Sequence, residues 1–127
     1  MGNGTSIGRV RGLGSSHQGA HHWLLSRLTA VGNIVLIPFL LASLVLLPAY
    51  DYATVHAWAA RPLSSTALIL IMINTFYHAR LGVQVMLEDY LHEDAGKFTA
   101  WLLVNLVPFA GAAFGILSVL RIALGGA

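Results

Sequence analysis

Tyr77-His78-Ala79-Arg80-Leu81-Gly82-Val83-Gln84-Val85-Met86-Leu87-Glu88-Asp89-Tyr90-Leu91-His92 is the stretch on which the fold turns. It begins at the end of an apolar run, 63–73, and finishes among ionisable groups, so run and continuation together read as one helix crossing a bilayer. His78 then sits at membrane depth. A helix turns about 100° and rises about 1.5 Å per residue, which returns Asp89 to within about 20° of the His78 face and roughly 16 Å nearer the surface. Asn74, His78, Gly82, Val85 and Asp89 share that stripe. An ionisable side chain at such depth is costly and by default marks a functional site, and a glycine one turn away leaves room for something flat and bulky.

The rest of the chain supports a membrane reading. Of 127 residues, 57% are hydrophobic and only 9% charged, against about 25% charged in a soluble domain. Apolar runs at 24–47, 63–87 and 98–120 are each long enough for about 20 residues of spanning helix. The fold expected is an all-α membrane protein, three transmembrane helices in one compact bundle. No sizeable soluble domain remains, so chemistry on a polar substrate falls to a partner. Cysteine is absent, which excludes thiolate clusters, disulfides and thiol nucleophiles. Seven cations scattered from Arg9 to Arg121 make no basic face for nucleic acid.

Residues 1–20 form a Gly/Ser-rich arm with Arg9 and Arg11 and no acid. Lacking an apolar core, the arm reads as a mature surface segment rather than a targeting peptide, and 21–127 is the anchor domain. In the first span Trp23 fits the interfacial aromatic belt. Ser26, Thr29 and Asn33, at i, i+3 and i+7, draw a polar stripe that should face protein. Arg27 can snorkel or pair with an anion at its own level, such as a haem propionate or a polarised quinone carbonyl. Pro48 closes this span, 51–61 reads as a loop holding a solvated His56, and Arg61-Pro62 starts the second span. An acidic loop, 88–97, precedes the third, which carries Gly111-x-x-x-Gly115, a weak close-packing signal. Arg9, Arg11 and Arg27 against Arg61 put the N-terminus in the cytoplasm and the C-terminus outside, with Arg121 counting against.

His78 has two readings: a hydrogen bond to a neighbouring helix, or an axial ligand of haem iron. A membrane cytochrome b uses two neutral imidazoles, each held by its other ring nitrogen. His17, His21, His22, His56 and His92 all lie near the ends of the spans, so the opposite ligand would come from another polypeptide.

Gly8-Arg9-Val10-Arg11-Gly12-Leu13-Gly14-Ser15 with residues 21–33, and His78-Ala79-x-x-Gly82 with Glu88-Asp89-Tyr90, resemble the small hydrophobic membrane-anchor (D) subunit of succinate dehydrogenase in its alphaproteobacterial form. The likeness runs over the arm, all three spans and both loops. It implies a chain in the bacterial inner membrane, within a heteromeric helical bundle. Implied partners are a flavoprotein, an iron–sulfur subunit and a second haem-ligating membrane subunit. By this resemblance His78 is one axial ligand of a shared haem b, and Arg27 and His21 lie near its propionates. Tyr90 hydrogen-bonds a ubiquinone carbonyl, and Asp89 beside it helps deliver protons. Arg80 departs from the pattern, where Gln or Trp is more usual. Without the resemblance, a belt tyrosine is the favoured reading of Tyr90. Two other functions fit the residues: the anchor of a menaquinone-linked succinate dehydrogenase or fumarate reductase, and a haem-free anchor or assembly subunit.

Overall fold

The computed structural model describes residues 19–90 and 94–125, apart from the side chains of residues 88, 89, 94 and 95. Among the described residues four helices follow one another: α1 (Gly19–Val45), α2 (Tyr52–Ala59), α3 (Pro62–Tyr90) and α4 (Asp94–Ala123). Three are long and apolar enough to cross a membrane, over Gly19–Val45, Pro62–Leu87 and Gly96–Ala123. The chain is therefore a multi-pass membrane protein.

Local chemistry sets the ends. After α1, Leu46 N still donates to Ala42 O at 3.1 Å and Leu47 N to Leu44 O at 3.1 Å, and Pro48 then prevents continuation. Pro62 opens α3 at the position where its missing N–H costs nothing. Gly125, at φ 74, takes the left-handed conformation that ends α4.

The segment 51–61, expected as a loop, contains the eight-residue α2. Asp51 is its N-cap: a carboxylate oxygen accepts from Thr54 N at 3.2 Å and the other from Thr54 Oγ1 at 2.6 Å. These bonds, led by the Thr54 side chain, hold the Asp51 carboxyl below its ordinary value of 3.8. Trp58 and Ala59 turn inward and are buried, while His56 is half-buried with its ring 5.4 Å from that of Tyr52. The acidic loop is also shorter than expected, because α3 runs on through Tyr90 and α4 begins at Asp94.

Packing corrects the compact bundle. α3 lies between α1 and α4, and among the described residues those two do not pack on each other. The three spans form a row with α3 in the middle. Close approach explains the two seams. Cβ atoms added at Gly111 and Gly115 would stand 2.7 Å from the Phe76 ring and 2.9 Å from the Met72 sulfur, so the glycine spacing of α4 is its face toward α3. One added at Gly32 of α1 would stand 2.8 Å from Asn74 Oδ1. Because the row does not close, only 6%, 11% and 6% of the three spans' most apolar windows are buried within the chain. The remaining apolar surface must face lipid or other helices.

Candidate functional site

The α1–α3 seam is held by polar side chains. Asn74 Nδ2 donates to Thr29 O at 2.7 Å and to Asn33 Oδ1 at 2.8 Å, and Thr75 Oγ1 donates to the same Asn33 oxygen at 3.1 Å. One turn further along α3, His78 Nδ1 lies 2.9 Å from Thr29 Oγ1. The polar stripe of the first span thus meets the polar stripe of the second, as the i, i+3, i+7 pattern predicts. Thr29 is buried and His78 half-buried. With Nδ1 turned to α1, Nε2 is on the other side of the ring, the only nitrogen available to a group outside the seam.

Beyond His78, toward the end of α3, the stripe opens at Gly82. A Cβ built there meets no atom of the described residues within 4 Å. Val85, about 10 Å further along the helix, lines a groove of 460 Å³ with Gln84, His22, Trp23, Ser26 and Arg27. The Arg27 guanidinium is 5.7 Å from the centroid of the Trp23 ring, a cation–π distance. His22 lines this groove; His21, one residue earlier, is exposed and outside the lining. The 100° step between neighbours on α1 separates them, and residue type alone could not choose.

Arg80 lies two residues from His78, hence about 200° around α3. Its Nε donates to Asn105 Oδ1 of α4 at 2.8 Å, its guanidinium is 5.7 Å from the Tyr77 ring centroid, and Asn105 Nδ2 donates to Trp101 O at 2.7 Å. The arginine belongs to the α3–α4 seam, beside a mainly apolar groove of 590 Å³ that includes Phe76 and Phe109.

Tyr90 is the last residue of α3 and 79% exposed. Asp89 precedes it in the same helix, but its side chain lies outside the described residues, as do His17 and His92. Among the described residues no three His, Cys, Asp or Glu side chains gather as a site for a bare metal ion. A single imidazole such as His78 can supply one axial ligand only.

A family model described as "Succinate dehydrogenase/Fumarate reductase transmembrane subunit" matches residues 1–112. Among its relatives are two from Rickettsia, each named "Succinate dehydrogenase hydrophobic membrane anchor subunit". That of Rickettsia bellii is 34% identical over 101 residues, 79% of this chain and 80% of its own. That of Rickettsia conorii is 31% identical over 105 residues, with the same coverage of 79% and 80%. A protein of that name from Paracoccus denitrificans is 27% identical over 115 residues, 84% of this chain and 88% of its own. No solved structure matches the chain.

Proposed function

The chain belongs to the succinate dehydrogenase/fumarate reductase transmembrane-subunit family, and from that premise we propose that it is the small membrane anchor of a succinate:ubiquinone oxidoreductase. In this reading it moors a flavoprotein and an iron–sulfur subunit to the bacterial inner membrane, N-terminus in the cytoplasm. It binds one haem b jointly with a second membrane subunit and contributes to the ubiquinone site. Succinate is oxidised elsewhere in the complex.

The observation that carries the cofactor reading is the α3 stripe. His78 keeps Nε2 clear of the seam, Gly82 leaves open space beside it, and along the stripe Arg27 and His22 line a groove. An imidazole, an empty helical turn and a cationic groove match in order an iron, a porphyrin face and its carboxylates. Haem bound there would supply one-electron transfer between the iron–sulfur subunit and quinone. His78 would hold the iron together with a ligand from the companion subunit, for whose helices the open row of three spans leaves room. Arg27 would offset the propionate charge. Tyr90, at the end of the same helix, would donate a hydrogen bond to a quinone carbonyl as negative charge grows on its oxygen. Asp89 would pass protons inward from water.

Affinity purification of the tagged chain in mild detergent tests the anchor role. Co-purification of a flavoprotein, an iron–sulfur protein and a second small membrane protein supports it, and recovery of the chain alone rejects it. A reduced-minus-oxidised spectrum of the same material tests the haem: a b-type band should be present and should disappear in His78→Ala while the subunits still co-purify. A complex without that band leaves the chain a haem-free anchor.

A further inference from the structure

We propose that Thr29 is a positioning residue that fixes the tautomer of His78, holding the ring proton on Nδ1 and so presenting an unprotonated Nε2 to iron. The inference rests on the haem reading above but assigns a role to a residue that reading does not use.

Counting hydrogens gives the direction. The Thr29 hydroxyl oxygen has three polar neighbours within bonding distance: Leu25 O at 2.8 Å, Ser26 O at 3.1 Å and His78 Nδ1 at 2.9 Å. Two are carbonyl oxygens, which can only accept. The hydroxyl has one hydrogen. If it pointed to the ring, both carbonyls would face the hydroxyl oxygen with no proton between, at a buried position from which water is largely excluded. If it points back to the helix carbonyls, as threonines in helices commonly do, its lone pairs face the ring and the remaining hydrogen must sit on Nδ1. Only with the hydrogen turned between the two carbonyls, shared by them, does no short contact set lone pairs against lone pairs, and in that arrangement the ring donates to the hydroxyl. In a neutral imidazole with Nδ1 protonated, Nε2 carries the lone pair.

The surroundings hold this alignment. The main-chain oxygen of Thr29 accepts from Asn74 Nδ2 at 2.7 Å, so the residue facing the ring is tied to α3 one turn away by its own backbone. Asn74 is fixed in turn by Asn33. Gly32 lets that amide lie where a Cβ would stand 2.8 Å from its oxygen. A slide of α1 against α3 would break both contacts of Thr29 together.

A hydroxyl that donates to a carbonyl is a better acceptor, so it draws the ring proton and leaves more electron density on Nε2. A more basic axial ligand favours ferric over ferrous iron. Removing the hydroxyl should therefore raise the haem potential and lower haem retention.

The test uses the purified complex carrying Thr29→Val, which keeps the branched shape without the hydroxyl, and Thr29→Ser, which keeps the hydroxyl. Haem per complex and the midpoint potential of the b-type band are measured. Valine should raise the potential and reduce haem content, and serine should return both to wild-type values. Should the valine complex not assemble, Thr29→Ala carries the same expectation. Wild-type potential and occupancy in the hydroxyl-free variant would overturn the proposal, as would a serine variant showing the same shift. A wild-type complex without a b-type band, or one whose band survives His78→Ala, would overturn it too, and would identify the haem reading as the part that failed.

Discussion

Arg80 of α3 donates through Nε to Asn105 Oδ1 of α4 at 2.8 Å, on the side of α3 turned away from His78. Asn105 is itself oriented by its bond to Trp101 O, so its carbonyl is aimed before the arginine arrives. Removing the acceptor leaves a guanidinium inside a spanning segment short of a partner, whereas removing both side chains leaves an apolar contact. Asn105→Leu should destabilise the assembled complex by about 1–2 kcal/mol, between the modest average for polar pairs in membranes and the value for charged hydrogen bonds. Arg80→Leu/Asn105→Leu should be less harmful than Asn105→Leu alone. Thermal unfolding in detergent reads the difference, and a double variant worse than the single one would deny the pair its role.

The glycines should rank by what stands over them. At Gly32 an added methyl meets the Asn74 amide, pinned by two hydrogen bonds, and at Gly111 it meets the Phe76 ring; neither can yield without moving a seam. At Gly115 it meets Met72, a flexible side chain that can swing aside. Gly32→Ala and Gly111→Ala should each lower stability by about 1–3 kcal/mol, the usual range for overpacking, and Gly115→Ala by less. Equal losses at all three, measured by the same unfolding transition, would show that these contacts do not set the seams.

The cap of α2 gives a pH dependence of known sign. Asp51 has its folded value lowered below 3.8, chiefly by the Thr54 side chain and then by the Thr54 amide. A lowered carboxylate stabilises the folded helix fully above its unfolded value, and the contribution is lost as pH falls through the folded value. Hydrogen exchange at the first amides of α2 should therefore be unchanged from neutral pH to about 5, with local opening increasing below the ordinary carboxylate value. Asp51→Asn keeps a capping oxygen without the charge and should abolish the dependence; an asparagine variant with the same acid profile would place the titrating group elsewhere.

These relationships differ in how visible they are before folding. The three spans are legible because apolar length is set by the bilayer, and the meeting of Thr29 and Asn33 with Asn74 and His78 is legible because polar stripes on membrane helices must find protein. Apolar length marks the membrane, however, and not the helix, which is why α1 starts at Gly19 and α3 extends to Tyr90, beyond the greasy runs. The α2 helix carried a signal in Asp51-x-x-Thr54, a capping pattern too short to outweigh the loop reading of its neighbours. The partner of Arg80 and the choice between His21 and His22 had no such signal, because both depend on how helices are rotated against one another. The open row had none either, since apolar faces turned to lipid and to protein read alike.

Gly82 separates the protein's own packing from the room kept for something else. With no atom of the described residues within 4 Å of a Cβ there, Gly82→Leu projects from α3 into open space, and exchanging glycine for a strong helix former favours α3 by about 1 kcal/mol. If the space beside His78 accommodates a porphyrin, the leucine side chain occupies the volume its face requires, so haem per complex should fall several-fold while the subunits still co-purify. Gly82→Ala, adding one methyl, should give a smaller loss in the same direction. Haem content measured against flavin content reads both variants on one scale. Full haem occupancy in the leucine variant would show that the open turn of α3 faces lipid or a partner helix, and would leave His78 to be approached, if at all, from another side.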